Sequence, residues 1–542
     1  MECGGGWWIC FRVQVLTGYL PGGNRWRTTF GSSKGFYGGG RRLGGSYGAV
    51  AVVCFRDSNK DMVPEFRWRL RCNMRWRLER RLCHFGAAVI RQLLNQRVTS
   101  HMGKRVRRSS VCSEKKMDNH FKDKITHLPK EILIYILSLL TLKEAGRSSV
   151  LSHGWKDLWK FTSVLNFDSP ESVRFSRKVR RNRERSKYVT WVNRVLELHQ
   201  CPYLDEFRVS FDMNRDASHD IDEWINFAIP KGLKRLEIDF TSYFSGSDNR
   251  YSLSQRCYSC FKRPHNLSRI KSLNSLTLKD VNVNGELLEF LLSNCPLLEF
   301  LCVYCSEHIV NLKVAGPSLL LKHLEIFRCM HLESLDVSAP KLVTFKYFGK
   351  KTQLRIRNLP LLSKLYIGGP LRDQVIYALV PFSSHLSHIE TLELEIRLEG
   401  NEEIPKALEF TTLKHLNISI RISYDKSLLG FTSLLEAAPS LRKLTLQVLS
   451  LHPSMQRVPE VLTPRPHQCL KVVEMIGFSG GTTDLEFFTY LLQSAINLDR
   501  IIFDPYHPRE FKGEQSEEKD EARKRARQLA KRLPPGVKSA VR

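Results

Sequence analysis

The chain has 542 residues, 42% of them hydrophobic, and a formal net charge of +29. That length calls for several domains or one long repeat array, and the longest apolar run, Ile132 to Leu142, is too short to span a bilayer. Arg12 and Gln14 interrupt the apolar residues 7–16, so no signal-peptide layout opens the sequence; a soluble intracellular protein, in nucleus or cytoplasm, is expected, with its 14 irregularly spaced cysteines as free thiols.

The charge is unevenly placed. Residues 1–116 hold 23 Lys and Arg against 6 Asp and Glu, a net of +17, together with 16 of the 32 glycines and 5 of the 9 tryptophans. From Phe66 to Glu79 apolar and mostly arginine residues alternate strictly, the period of a one-sided strand, but no matching run lies nearby to complete a sheet. An Arg/Trp ribbon could bind bases or anionic lipid. The preferred reading is a disordered or non-native extension, with Met117 as the natural start. A nucleic-acid-binding role built on this arm is the competing reading.

Residues 124–161 read as three short helices. Leu128-Pro129 opens the first, with proline at the first helical position, and Ile132, Leu133, Ile136, Leu137 and Leu140 fall on one face. Thr141 and Glu144 form a capping box for the second. Ser152 is the expected cap of the third, which carries Trp155, Leu158 and Trp159 at i, i+3, i+4. Gly146 should weaken the second helix by about 1 kcal/mol. A unit this small cannot bury much core alone, which predicts a partner.

Leu128-Pro129, Glu131-Ile132-Leu133, Ile136-Leu137-Ser138, Lys143-Glu144-Ala145, Ser149 to Ser152, Trp155 and Leu158-Trp159 together resemble an F-box, with His153-Gly154 and Gly146 as departures. The resemblance implies docking on a Skp-type linker subunit of a cullin-RING (SCF) ubiquitin ligase. It assigns that contact to Leu128, Pro129, Ile132, Leu133, Ile136, Leu137, Leu140, Trp155 and Trp159, within an F-box at 120–165.

A basic run over 174–187 is read as part of a solvated linker, 166–187, ahead of a nuclear-import or phosphate-binding patch. From residue 204 an L-x-x-L-x-L pattern recurs, from Leu204/Phe207/Val209 through Leu324/Ile326, Leu332/Leu335/Val337 and Leu342/Phe345/Tyr347 to Leu498/Ile501/Phe503. Most starts lie about 20–30 residues apart, the leucine-rich-repeat period. Such units stack into an open parallel sheet over a continuous core. The starts at 332 and 342 are too close for a helical return and predict tight turns. The repeats resemble those of plant-type F-box proteins, and Cys469 to Val473, Ile476-Gly477-Phe478, Gly480, Leu485 to Phe487 and Tyr490 to Leu492 resemble an FBD module. The expected architecture is therefore α/β: a small all-α F-box, an irregular leucine-rich-repeat solenoid over 188–465, an FBD-like module over 466–510, and a charged tail, 511–542, as frayed helix or coil.

Two CxxC pairs, Cys257/Cys260 and Cys302/Cys305, are too far apart for a zinc ribbon, and no phosphate-binding loop, nucleophile elbow or HExxH occurs. No metal, cofactor or catalytic residue is expected. The reading is a non-catalytic adaptor that binds a Skp-type subunit and cullin through the F-box and a target protein through the repeats; the alternatives are a nucleic-acid binder, or a leucine-rich scaffold with a vestigial F-box. Residues facing away from the core in adjacent repeat strands form the expected target surface: Phe300, Tyr304, His323, Glu325, Phe327, Lys346, Phe348 and Tyr366.

Overall fold

The structure, a computed structural model, describes residues 7–14, 48–55, 128–150, 153–168, 178–241, 249–316, 318–370, 378–398, 408–422, 427–450, 462–506 and 517–542. The chain divides into two units, residues 1–162 and 163–542. In the first, β1 (Trp7–Gln14) pairs antiparallel with β2 (Gly48–Phe55). The alternating run Phe66–Glu79 and the cap Ser152 lie outside the described residues.

Two helices follow, α1 (Lys130–Ser138) and α2 (Leu142–Ser148). Pro129 stands one place earlier than expected. It is the extended residue before α1, and its carbonyl accepts the first helical bonds from the amides of Ile132 (3.0 Å) and Leu133 (3.1 Å). The capping box forms: Thr141 Oγ1 accepts from the Glu144 amide at 3.3 Å, and Glu144 Oε2 accepts from the Thr141 amide at 3.1 Å. The expected third helix is instead two 3₁₀ turns, His153–Trp155 and Leu158–Phe161. Asp157, at φ 65°, breaks the helical path between them. Leu133, Leu137, Ala145, Trp155 and Leu158 form the small core, with Leu128, Ile134, Ile136, Leu140 and Trp159 packed against it.

In the second unit strands and helices alternate: β3 (Val164–Asp168), α3 (Lys178–Leu198), β4 (Glu206–Ser210), α4 (Ser218–Ala228), β5 (Arg235–Asp239), β6 (Tyr251–Ser252), α5 (Gln255–Lys262), α6 (Pro264–Ile270), β7 (Ser275–Lys279), β8 (Val281–Asn282), α7 (Gly285–Asn294) and β9 (Phe300–Tyr304). A run of strands takes over: β10 (Asn311–Ala315), β11 (His323–Phe327), β12 (Ser334–Ser338), β13 (Thr344–Phe348), β14 (Gln353–Arg357), β15 (Lys364–Gly368), β16 (Thr391–Leu398) and β17 (His415–Ile422). The chain closes with α8 (Thr432–Glu436), β18 (Lys443–Ser450), β19 (Val472–Ile476), α9 (Thr482–Ser494), β20 (Arg500–Asp504), α10 (Glu517–Ala530) and β21 (Lys538–Val541).

Fourteen of these strands make one sheet, ordered β3, β4, β5, β7, β9, β11, β13, β15 and then β16 to β21 in sequence. Every neighbouring pair is parallel. Register is set where each strand begins. One carbonyl of the preceding repeat accepts two successive amides: Lys322 O takes those of Val343 and Thr344, and Val343 O takes those of Ser363 and Lys364. The second and fourth residues of each repeat strand point into the core, as Leu324/Ile326 and Leu365/Ile367 do.

Leu335 and Val337, read as one more strand of this sheet, belong elsewhere. They lie in β12, the middle strand of a separate parallel sheet ordered β10, β12, β14. Between residues 311 and 357 the return limb of each repeat is itself a strand, so the close starts at 332 and 342 reflect two interleaved sheets rather than tight turns alone. The sheet also starts earlier than expected, at Val164, and the basic run enters α3 at Lys178, where Arg185 donates to the carbonyl of Asp212 at 2.6 Å and pairs with its carboxylate.

The FBD-like residues continue the same sheet. After β19 the chain turns at Gly477 and Gly480, both at positive φ. Asp484, fully buried, then accepts from the amides of Ser479 (2.8 Å) and Gly480 (2.9 Å) at the head of α9. Burial raises the Asp484 pKa against the opposing pull of those bonds. The charged tail is ordered where described: α10 is helical, Arg525 donates to Ser479 O at 3.2 Å, and β21 pairs with β20. Among the described residues no helix is long and apolar enough to cross a membrane.

Candidate functional site

Two surfaces carry the predicted site residues. The first is the exposed flank of α1. Leu133, Leu137 and Trp155 are buried in the F-box core, while Leu128, Ile136, Leu140 and Trp159 are half-buried against it. Pro129 is exposed, and Ile132 is 46% exposed. Tyr135, absent from the sequence reading, is 61% exposed. It sits one turn beyond Ile132, the i+3 spacing that places two residues on one helix flank. Helix geometry therefore divides the nine predicted residues. Pro129 and Ile132 face outward, Leu133, Leu137 and Trp155 hold the unit together, and Leu128, Ile136, Leu140 and Trp159 pack half-buried against that core.

The second surface is the sheet face formed by the first, third and fifth strand residues. Over β3 to β7 it is a lattice of charge pairs. Arg208 Nε lies 3.3 Å from Asp168 and 3.4 Å from Glu237, and Lys279 Nζ lies 3.1 Å from Asp239. Burial opposes ionisation of Asp239, but bonds from Thr241 and the Lys279 ammonium prevail and hold its pKa below the ordinary value.

Over β9 to β15 the face turns aromatic. Tyr304, Phe327 and Phe348 occupy one register across β9, β11 and β13. Their rings stack at centroid distances of 6.1 and 6.2 Å. Tyr366 leans on Phe327 at 5.1 Å, and its hydroxyl donates to Glu395 at 2.5 Å. Opposite Phe348 stands Gly368, where a Cβ would meet Phe348 Cδ2 at 2.6 Å, so this glycine lets the ring lie down. In the adjoining registers Phe300 meets His323 at 5.9 Å, and Lys346 pairs with Glu325 at 2.9 Å. Burial, aided by the charges of Lys364, Lys346 and Lys322 and opposed by Glu325, lowers the pKa of His323.

All eight predicted residues thus lie on one face. Phe348 is only 8% exposed, however, and acts as a floor rather than an anchor; Cys302 and Thr344 on the same strands are buried too. Burial pushes the thiols of Cys257, Cys302 and Cys305 up to about 12, away from thiolate chemistry. Among the described residues no three His, Cys, Asp or Glu converge as a metal site.

Sequence reasoning missed Arg328, the residue after β11. It has a left-handed backbone, φ 53°, like Asp280 and Cys305 at the ends of β7 and β9. The conformation aims each amide at the next strand: those of Asp280, Cys305 and Arg328 donate to the carbonyls of Tyr304 (2.9 Å), Phe327 (2.8 Å) and Phe348 (2.6 Å). The Arg328 guanidinium sits 5.9 Å from the Tyr304 ring centroid and 5.5 Å from that of Phe348. The strand pattern carries no signal for an arginine in this role.

A short capped helical unit followed by a parallel repeat sheet defines an F-box and leucine-rich-repeat protein. The F-box domain model matches residues 125–165. The model described as At1g61320/AtMIF1, LRR domain, matches residues 195–532, and the chain belongs to that family. Similar proteins of Arabidopsis thaliana include the putative F-box/FBD/LRR-repeat protein At5g62970, 27% identical over 68% of this chain and 89% of its own length. The FBD-associated F-box protein At5g38590 is 28% identical over 70% of this chain and 92% of its own. The F-box/FBD/LRR-repeat protein At1g13570 is 28% identical over 55% of this chain and 76% of its own.

Proposed function

We propose that the chain is a substrate-recognition adaptor of an SCF-type cullin-RING ubiquitin ligase. The F-box docks on a Skp-type linker subunit, and the aromatic face of the repeat sheet holds a target protein. The observation that carries the first half is the outward flank of α1, where Pro129, Ile132 and Tyr135 stand exposed beside the buried core of Leu133, Leu137, Ala145, Trp155 and Leu158. The ligase's other subunits supply the ubiquitin chemistry, so the adaptor needs no catalytic residue. It acts by holding the target at high effective concentration near the transfer site.

The test is copurification of the full chain with Skp-type subunit and cullin. Leu128→Ala with Pro129→Ala, expressed to the same level, is expected to remove most of both partners. Undiminished recovery would contradict the docking assignment. Recovery of the linker subunit without cullin would point to an interaction scaffold instead.

A further inference from the structure

Along the open sheet face Arg208, Arg235, Lys279, Lys346 and Lys443 each reach a carboxylate on an adjacent strand. Arg328 does not. It is exposed, and among the described residues no carboxylate pairs with it. Its guanidinium is instead held between the faces of Tyr304 and Phe348. It is carried on a left-handed residue, a conformation costly for arginine and cheap for glycine or asparagine.

The guanidinium lies beside two ring faces, and among the described residues no acceptor meets its N–H edge. A planar fork of this kind matches a carboxylate bidentately. Beside it lie the half-buried rings of Phe327 and Tyr366, their centroids 5.1 Å apart. Lys364, exposed in the same strand as Tyr366, likewise has no carboxylate within ion-pair distance among the described residues and adds to the positive field.

We propose that this end of the face recognises an acidic residue in an extended segment of the target protein, its carboxylate on Arg328 and a neighbouring apolar or aromatic side chain on the Phe327–Tyr366 rings. The inference rests on the reading of the aromatic face as the target surface and names the chemistry it selects. A carboxylate without an apolar neighbour would forgo the rings, and an apolar residue without the acid would leave the guanidinium unmatched.

The probes are two fluorescent pools of eight-residue peptides with a fixed Phe or Leu. In one pool the adjacent residue is Asp or Glu; in the other it is Asn or Gln. Fluorescence polarisation is read on the purified full chain. The acidic pool should bind at least about tenfold more tightly than the amide pool, corresponding to about 1.4 kcal/mol. Arg328→Gln should abolish that preference, Arg328→Lys should keep part of it, and Lys313→Gln, on the second sheet, should leave it intact. Equal binding of both pools, lost on Phe327→Ala, would leave the target surface standing and sink the acidic preference. Binding by neither pool, or binding indifferent to both Phe327→Ala and Arg328→Gln, would overturn both. An eight-nucleotide RNA that displaces the acidic pool and loses affinity on Arg328→Gln would replace the protein segment with a nucleic acid.

Discussion

Gly146 and Gly285 have the same residue type and opposite consequences. Gly146 lies inside α2 with nothing within 4 Å of the Cβ it lacks, and its φ is an ordinary helical one. Gly146→Ala should raise F-box stability by about 0.5–1 kcal/mol, because alanine loses less backbone entropy on folding. Gly285 opens α7 directly against the backbone carbonyl of Asn311 at the start of β10, where a Cβ has no room. Gly285→Ala must push helix from strand and should cost more than about 1 kcal/mol. Thermal melts of the two variants should therefore move in opposite directions. His323 supplies a pH signature. Its folded pKa is lowered, by burial first and by the charges of Lys364, Lys346 and Lys322 against Glu325. The folded chain thus binds fewer protons than the unfolded one. The stability contribution is complete above the ordinary value of 6.5 and declines as pH falls from there toward the folded pKa. His323→Gln should flatten the fall in Tm between pH 7.5 and 5.5; an unchanged slope would place the titration elsewhere.

At the scale of elements, what was legible follows from how locally each element is encoded. The capping box of α2 and the paired strand leucines are short-range patterns, and both stand where the sequence puts them. The third F-box helix does not, because Asp157 adopts a left-handed turn that spacing alone cannot reveal. β10 and β14 were hidden for another reason. Leu312/Val314 and Leu354/Ile356 alternate correctly, but a return limb that is a strand looks like one more repeat or like loop. Leu335/Val337 therefore reads as one more strand of the long sheet, although it lies in the second. The same division sorts the F-box residues. Leu133→Ala or Trp155→Ala should destabilise the unit by several kcal/mol, as buried truncations do. Loss of partner binding in those variants would report unfolding, whereas loss on changing Ile132 would report contact. A circular-dichroism melt beside each binding measurement separates the two.

At the scale of the whole molecule, the parallel sheet runs from β3 to β21 without a break in strand order, through the stretch that resembles an FBD module. Composition alone divides this region into solenoid, module and tail, because glycines 477, 480 and 481 and the density of charge after residue 514 look like boundaries. Packing overrides that impression. Gly480 receives Arg525 of α10, and Arg542 of the last repeat reaches Glu474 across the sheet at 2.9 Å. In a stack of this kind each repeat is stabilised by its neighbours, so changes confined to α1 should leave the repeat melt untouched. The central claim is that one chain carries a docking flank on the F-box. It is tested most directly by calorimetric titration of the full chain, as wild type and as Ile132→Asp, with a purified Skp-type subunit. Burying an isoleucine contributes about 1.5–3 kcal/mol. The account predicts at least about a tenfold loss of affinity with the repeat-domain melt unchanged. Equal affinity of the two proteins would contradict it.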